Sequence, residues 1–267
     1  MIDDQIIKLI ELESLFTLVQ ISVLKDDYLV VEFLSDSRPK TRVEKEALVA
    51  YICEWLDLNR DLTSFYKMAR QDPLLKEVVE RFPGLRLVGV PDLFEALCWA
   101  VLGQQINLNF AYSLKRKFVE SFEESITYKG RKYWAFPSYE KLANLSVEDL
   151  AVIKMTGRKS EYILGIAKLM SEGELSKEKL QQIKDFNHVE KELISIRGIG
   201  PWTANYVLMR CLRYPEAFPI ADVGLMNAIK YQLRMDRKPS SEEILKLSSG
   251  WTGWEAYATF YLWRVRY

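Results

Sequence analysis

The chain has 267 residues, of which 49% are hydrophobic, and its 37 Lys plus Arg balance 37 Asp plus Glu to zero net charge. That length buries the core of one or two domains, and the composition excludes a disordered chain. Zero net charge excludes a uniformly basic coat for nucleic acid, but not a protein that holds a few phosphates through backbone amides.

The chain opens on Met1-Ile2-Asp3-Asp4, which is acidic and unlike a signal peptide. No apolar run reaches membrane length, so the expectation is a cytoplasmic protein with no membrane partner. Residues 16–24 alternate in part and are rich in β-branched side chains. Lys25-Asp26-Asp27 reads as a turn, and residues 28–34 as the second strand of a hairpin. After Arg38-Pro39 the pattern becomes helical, with about ten helices expected. Asp92 with Glu95 reads as a capping box before the apolar run 94–102. Ser146 with Asp149, Asn187 with Glu190 and Thr252 with Glu255 read as similar starts.

This predicts an N-terminal α+β domain with a β-hairpin over residues 1–80 and a helical region over 81–267. Basic clusters at Lys115-Arg116-Lys117, Lys129-Gly130-Arg131-Lys132 and Arg158-Lys159 read as solvated helix ends and turns. Cys53, Cys98 and Cys211 lie far apart and read as core residues, not as a thiol metal site. His188, the only histidine, reads as a surface residue in a first helical turn.

The richest segment is Leu193 to Met209. An apolar helix runs into Gly198-Ile199-Gly200, and a second helix starts at once with Pro201. Glycine permits a tight turn and a close approach to another molecule. Proline suits the first helical turn, where its missing N–H costs nothing. The free N–H groups of Gly198, Gly200 and Thr203 would then converge at a positive helix end that holds a phosphate. Farther on, Asp222 opens another apolar helix, where Asp is also a favoured cap.

The hairpin Gly198-Ile199-Gly200-Pro201-Trp202-Thr203-Ala204-Asn205-Tyr206 with the later Asp222 resembles the helix-hairpin-helix DNA glycosylases. Within that superfamily it most resembles 3-methyladenine DNA glycosylase II, the alkylbase-removing branch. Val101-Leu102-Gly103-Gln104-Gln105-Ile106 resembles the family's wedge loop, and Trp251 to Trp263 its last helix. The likeness spans roughly residues 90 to 267. It implies a mainly α, two-lobed helix-hairpin-helix glycosylase fold, with a small N-terminal α+β domain containing an antiparallel sheet.

The resemblance also implies roles. Asp222 would be the catalytic aspartate, stabilising positive charge on the sugar as the base departs. Trp202, Tyr206, Trp263 and Val223 would line the base pocket, where electron-rich rings favour a cationic base. Trp254 and Tyr257 read as core. Gln104 and Gln105 stand at the wedge, with Gln105 the candidate plug for the hole a flipped base leaves. Backbone carbonyls of Ile194, Ile196 and Ile199 would hold a structural Na or K ion at the hairpin.

Bifunctional members carry a Schiff-base lysine where this chain has Trp202, so base removal without strand cleavage is expected. The cysteine quartet of the iron–sulfur branch is missing, so neither a cluster nor a catalytic cofactor is expected. The implied partner is double-stranded DNA containing damaged bases, bound by a monomer. Two other readings stay open. One is a non-enzymatic helix-hairpin-helix DNA-binding protein. The other is a glycosylase for etheno, deaminated or oxidised bases.

Overall fold

The computed structural model describes residues 5–12, 15–24 and 28–265; the turn expected at Lys25-Asp26-Asp27 lies outside them. Strands β1 (Ile6–Leu12), β2 (Leu15–Val23) and β3 (Leu29–Phe33) form an antiparallel sheet in sequence order. The expected hairpin is β2–β3, and Ile21 lies opposite Val31. Unexpected is β1, which pairs Leu9 with Leu18 and Ile10 with Thr17. Ile-Ile-Lys-Leu-Ile-Glu-Leu barely alternates, because both faces of the sheet are covered. Helix α1 (Arg42–Leu56) lays Leu48 and Ile52 on Ile10, Val19 and Ile21.

The helical region follows with α2 (Thr63–Ala69), α3 (Lys76–Arg81), α4 (Leu93–Leu102) and α5 (Leu108–Glu120). A second hairpin, β4 (Ser125–Tyr128) and β5 (Arg131–Trp134), was not foreseen. Its turn residues Lys129 and Gly130 both take positive φ, 48° and 74°, as a two-residue hairpin of this twist requires. The basic residues that mask it in sequence ride its tip. Its apolar Ile126 and Tyr133 cover Leu9 and Leu18 on the sheet's other face.

The remaining elements are α6 (Tyr139–Ala143), a 3-10 turn at Ala151–Ile153, α7 (Gly157–Ser171), α8 (Lys177–Gln182), α9 (Phe186–Ser195), α10 (Pro201–Arg210), α11 (Val223–Gln232), α12 (Ser241–Leu247) and α13 (Glu255–Leu262). The described residues thus hold thirteen α-helices; the excess over the expected ten comes from pieces of five to seven residues, too short to show a period. One large core runs from Leu62 to Leu262. At its centre α4 packs on both α7 and α10. Eight of the ten α4 residues are buried, so α4 behaves as an interior helix.

Three of the expected caps differ in detail. Asp92 does cap α4, accepting from the Glu95 N–H at 2.6 Å. Asp185, not Asn187, caps α9. Ser146 and Asp149 bond reciprocally but lead into turns and the 3-10 segment. Thr252 is not a cap, since Trp254 occupies that position before α13. Reciprocal capping boxes stand instead at Thr41–Glu44 and Ser240–Glu243.

Candidate active site

The site forms where three helix ends meet. Helices α9 and α10 make a hairpin whose turn is Ile196 to Gly200. Gly198 has φ of 95°, and a Cβ there would sit 2.3 Å from the Tyr162 ring. Its glycine is therefore fixed by the fold: only a residue without a side chain turns left-handed under that ring. Gly200 differs. It is the N-cap of α10 with φ of −92°, and a Cβ there would meet nothing within 4 Å. Pro201 fills the first helical position. Thr203 is buried, 3% exposed as a whole residue, and its Oγ1 accepts from the Gln104 amide.

The middle of α10 sets the loop that delivers the carboxylate. Asn205, 7% exposed, accepts from the Phe218 N–H at 2.8 Å and donates to Glu190 at 2.5 Å and to the Pro201 carbonyl at 3.1 Å. It ties α9, α10 and the 211–222 loop together. Asn205 lies within the hairpin motif, but nothing in its local sequence marks this role. The loop then closes tightly, with the Ile220 N–H on Phe218 and the Asp222 N–H on Pro219.

Asp222 is the N-cap of α11. Its Oδ1 accepts from the Leu225 N–H at 2.7 Å and from the Trp263 indole at 2.8 Å. Its Oδ2 accepts from the Trp202 indole at 3.1 Å. A carboxylate offers about four acceptor sites. Three are used here, and the open one is on Oδ2. Capping and presentation therefore coincide, and residues from α10, α11 and the end of α13 meet on one side chain. The expected Trp202, Trp263 and Asp222 come together; their contact runs through indole N–H groups, which spacing alone does not show.

The remaining aromatics differ in exposure. Trp202 stacks on Tyr206 with centroids 5.6 Å apart at 25°. Tyr206 is only 6% exposed, and the Arg210 guanidinium lies 5.6 Å over its ring. Burial pushes its phenol up, while the Arg210 and Lys115 charges oppose that shift. Tyr206 thus backs Trp202 and has little open face of its own. Trp263 packs edge-on against Phe260 at 6.0 Å. Val223 is 55% exposed beside the carboxylate. A Cβ on Gly224 would lie 2.9 Å from Asp222 Oδ1 and 3.2 Å from the Trp263 ring. The missing bulk after the aspartate is the space that Trp263 uses. Trp99 and the exposed Tyr112, 5.0 Å apart, extend the aromatic surface; neither was foreseen. Trp254 and Tyr257 pack on Phe65 in the core, as read.

The two glutamines part company. Gln105 is exposed and has φ of 58°, a left-handed conformation uncommon outside glycine. Gln104 turns inward and donates to the Gly198 carbonyl at 2.9 Å and to Thr203 Oγ1 at 3.1 Å. That amide is engaged by the hairpin. The Ile196 carbonyl accepts from the Ile199 N–H at 3.0 Å. Ile196 and Ile199 are buried and Ile194 is 37% exposed. Backbone oxygens suit a hard monovalent cation, so the donor chemistry fits.

His188 lies on α9 with its imidazole 3.3 Å from Glu192, exposed as read. Among the described residues no group of three or more His, Cys, Asp or Glu side chains gathers to hold a metal. A concavity of about 480 Å³ on α2, lined by Thr63, Tyr66, Lys67, Arg70 and Gln71, includes no residue of this site and no nucleophile–base pair. No helix among the described residues is long and apolar enough to cross a membrane.

Known proteins match this chain in sequence and fold. The model for the HhH-GPD superfamily base excision DNA repair protein covers residues 98–253, and that for the 8-oxoguanine DNA glycosylase N-terminal domain covers 2–97. A DNA-3-methyladenine glycosylase of Bacillus subtilis is 60% identical over 98% of this chain and 86% of its own. The solved 3-methyladenine DNA-glycosylase of Archaeoglobus fulgidus superposes with a TM-score of 0.84 at 26% identity, covering 99% of this chain and 88% of its own. An 8-oxoguanine glycosylase/lyase of Clostridium acetobutylicum, solved with double-stranded DNA, shares the fold at a TM-score of 0.73 and 21% identity, covering 96% and 86%. The chain belongs to the HhH-GPD superfamily of base excision DNA repair proteins.

Proposed function

We propose that the protein is a monofunctional DNA glycosylase for alkylated bases, 3-methyladenine foremost, flipped from duplex DNA. The observation that carries this reading is the Asp222 carboxylate, fixed by one backbone and two indole N–H groups with one acceptor site left on Oδ2. The identity to the Bacillus enzyme supports the lesion class.

The reaction needs little else. Alkylation at N3 or N7 makes the nucleoside cationic. The C1′–N bond breaks with its electron pair going to the base, which departs neutral. Positive charge moves to the sugar, where the preplaced carboxylate stabilises it. Water adds to C1′ and loses a proton, giving the abasic hydroxyl. No general acid for the leaving base is required. Trp202 and Trp263 wall the pocket, with Tyr206 behind and Val223 at its mouth. Each favourable ring–cation contact adds about 0.5 to 2 kcal/mol of preference for a cationic base.

Gly198, Gly200 and Thr203 offer backbone N–H groups to a phosphate, and Gly200 leaves room for its approach. The carbonyls of Ile194, Ile196 and Ile199 would hold a Na or K ion against that phosphate, as structure and not as chemistry. Gln105 is the plug; Gln104 supports it. Three cysteines are too few for a four-thiolate cluster. The working unit is a monomer with its site open to duplex DNA, acting in the cytoplasm.

The test is product analysis on alkylated duplex DNA. Free 3-methyladenine with a strand that breaks only on later alkali treatment is the expected result. A borohydride cross-link to DNA would overturn the monofunctional reading, since Trp202 offers no amine. DNA binding without release of alkylated, etheno or deaminated bases would leave a binding module.

A further inference from the structure

Lys159 sits in the first turn of α7, only 9% exposed, and among the described residues it makes no ion pair. Its Nζ donates to the carbonyls of Leu102 and Gln104, both at 2.8 Å. The Leu102 carbonyl ends α4, where the helix dipole is negative and the last carbonyls lack partners, and the Gln104 carbonyl lies in the turn that follows. One residue on, the chain flips left-handed at Gln105. From the same turn the Gln104 side chain reaches the hairpin, at Gly198 and Thr203. The result is a continuous path from α7 through the wedge turn to the first turn of α10.

We propose that Lys159 and Gln104 are positioning residues for base extrusion. They brace the wedge turn against the phosphate-gripping hairpin, so that Gln105 stands already extended when DNA arrives. The inference rests on the glycosylase reading and adds residues that do not touch the reacting atoms. Its physical basis is preorganisation. A buried cation facing only carbonyls is a costly way to end a helix. Here it also fixes the turn that carries the exposed left-handed residue. Without the brace the turn relaxes, and part of the DNA binding energy goes into rebuilding it before a paired base can leave the stack.

The test compares one lesion in two settings. 7-Methylguanine is placed opposite cytosine, or in a one-nucleotide bulge where no pair is broken. Single-turnover release is measured with native protein, Lys159→Met and Gln104→Met, beside their thermal midpoints. Release from the paired lesion should fall about tenfold or more in either variant, while release from the bulge stays within about threefold. Adding Gln104→Met to Gln105→Ala should cost no more than Gln105→Ala alone, because the brace then has nothing to present.

Equal losses in both settings, or no loss in either, would overturn the brace. Gln104 is half-buried and keeps the question answerable if Lys159→Met does not fold. Native protein that frees this base in neither setting, and no 3-methyladenine from alkylated duplex DNA, would remove the glycosylase reading itself, and the brace with it.

Discussion

Two indole N–H groups on one carboxylate make a separable prediction. Trp202→Phe and Trp263→Phe each keep an aromatic ring in the pocket but remove one donor to Asp222. The two losses are not equivalent. Oδ1 would keep the Leu225 N–H at 2.7 Å after Trp263→Phe. Oδ2 would keep nothing after Trp202→Phe, because the indole at 3.1 Å is its only donor among the described residues. A hydrogen bond to a charged group is worth about 1.5–3 kcal/mol, and 1.36 kcal/mol is a factor of ten in rate. The longer 3.1 Å contact argues for the lower end, so Trp202→Phe should slow base release about tenfold. Trp263→Phe should cost less, about threefold.

The competing effect is charge withdrawal. Donors draw negative charge from the carboxylate, so removing one could raise its power to stabilise the sugar cation. The structure favours positioning, because Oδ2 bears the open acceptor site and must point the right way at the moment of reaction. The assay is single-turnover release of 3-methyladenine with enzyme in excess, which excludes product release from the rate. An unchanged or faster Trp202→Phe enzyme would refute the positioning argument.

Other consequences follow from single positions. Gly224→Ala should change the melting temperature little, since alanine's preference in the first turn of α11, up to about 1 kcal/mol, is offset by disturbing the Asp222 cap and the Trp263 ring 3.2 Å from the new Cβ. It should still lower the excision rate, because the new methyl group meets Asp222 Oδ1 at 2.9 Å; loss of both stability and rate would point to general misfolding. Gly198→Ala and Gly200→Ala should separate fold from function. The first should unfold at lower denaturant concentration, by more than about 1 kcal/mol, because φ of 95° and the Tyr162 ring both resist it. The second should fold normally and weaken DNA binding only, as read by fluorescence anisotropy.

Glu243 gives a pH dependence. The Arg237 guanidinium and the Ser240 N–H hold its carboxyl down at about 2. The folded value lies below the unfolded one, so its contribution is present above about 4.5 and is lost as pH falls toward about 2. Glu243→Gln should therefore lower the melting temperature at neutral pH, with the gap closing through that acid window in calorimetry. A gap that does not change with pH would contradict it.

The hairpin was legible because glycine, glycine and proline in that order report backbone geometry directly. Asp222 was legible as a cap, and the family likeness marked it as a candidate site residue. The long helices were legible from their period. What escaped the sequence was set by tertiary covering. Strand β1 has no clean alternation because α1 and the β4–β5 hairpin cover both faces of its sheet. The β4–β5 hairpin hid beneath a basic cluster, since Lys129 at a positive φ looks like any exposed lysine. Lys159 appeared in the sequence as a solvated cation, yet its ammonium is buried on two carbonyls. Gln104 and Gln105 are chemically identical neighbours. The left-handed backbone at Gln105 leaves that amide exposed, while Gln104 turns its amide to the hairpin. Asn205 acts across three segments, and such a role has no local spacing to announce it.

The account turns on Asp222, and one comparison tests it most directly. Asparagine at 222 keeps an oxygen for the Leu225 N–H and nearly the same shape, but no charge. Single-turnover release of 3-methyladenine from alkylated duplex DNA should proceed with native protein. It should fall by about 10²-fold or more in Asp222→Asn, with folding and DNA binding retained. An Asp222→Asn protein that frees the base at the native rate would reduce Asp222 to a helix cap and contradict the account.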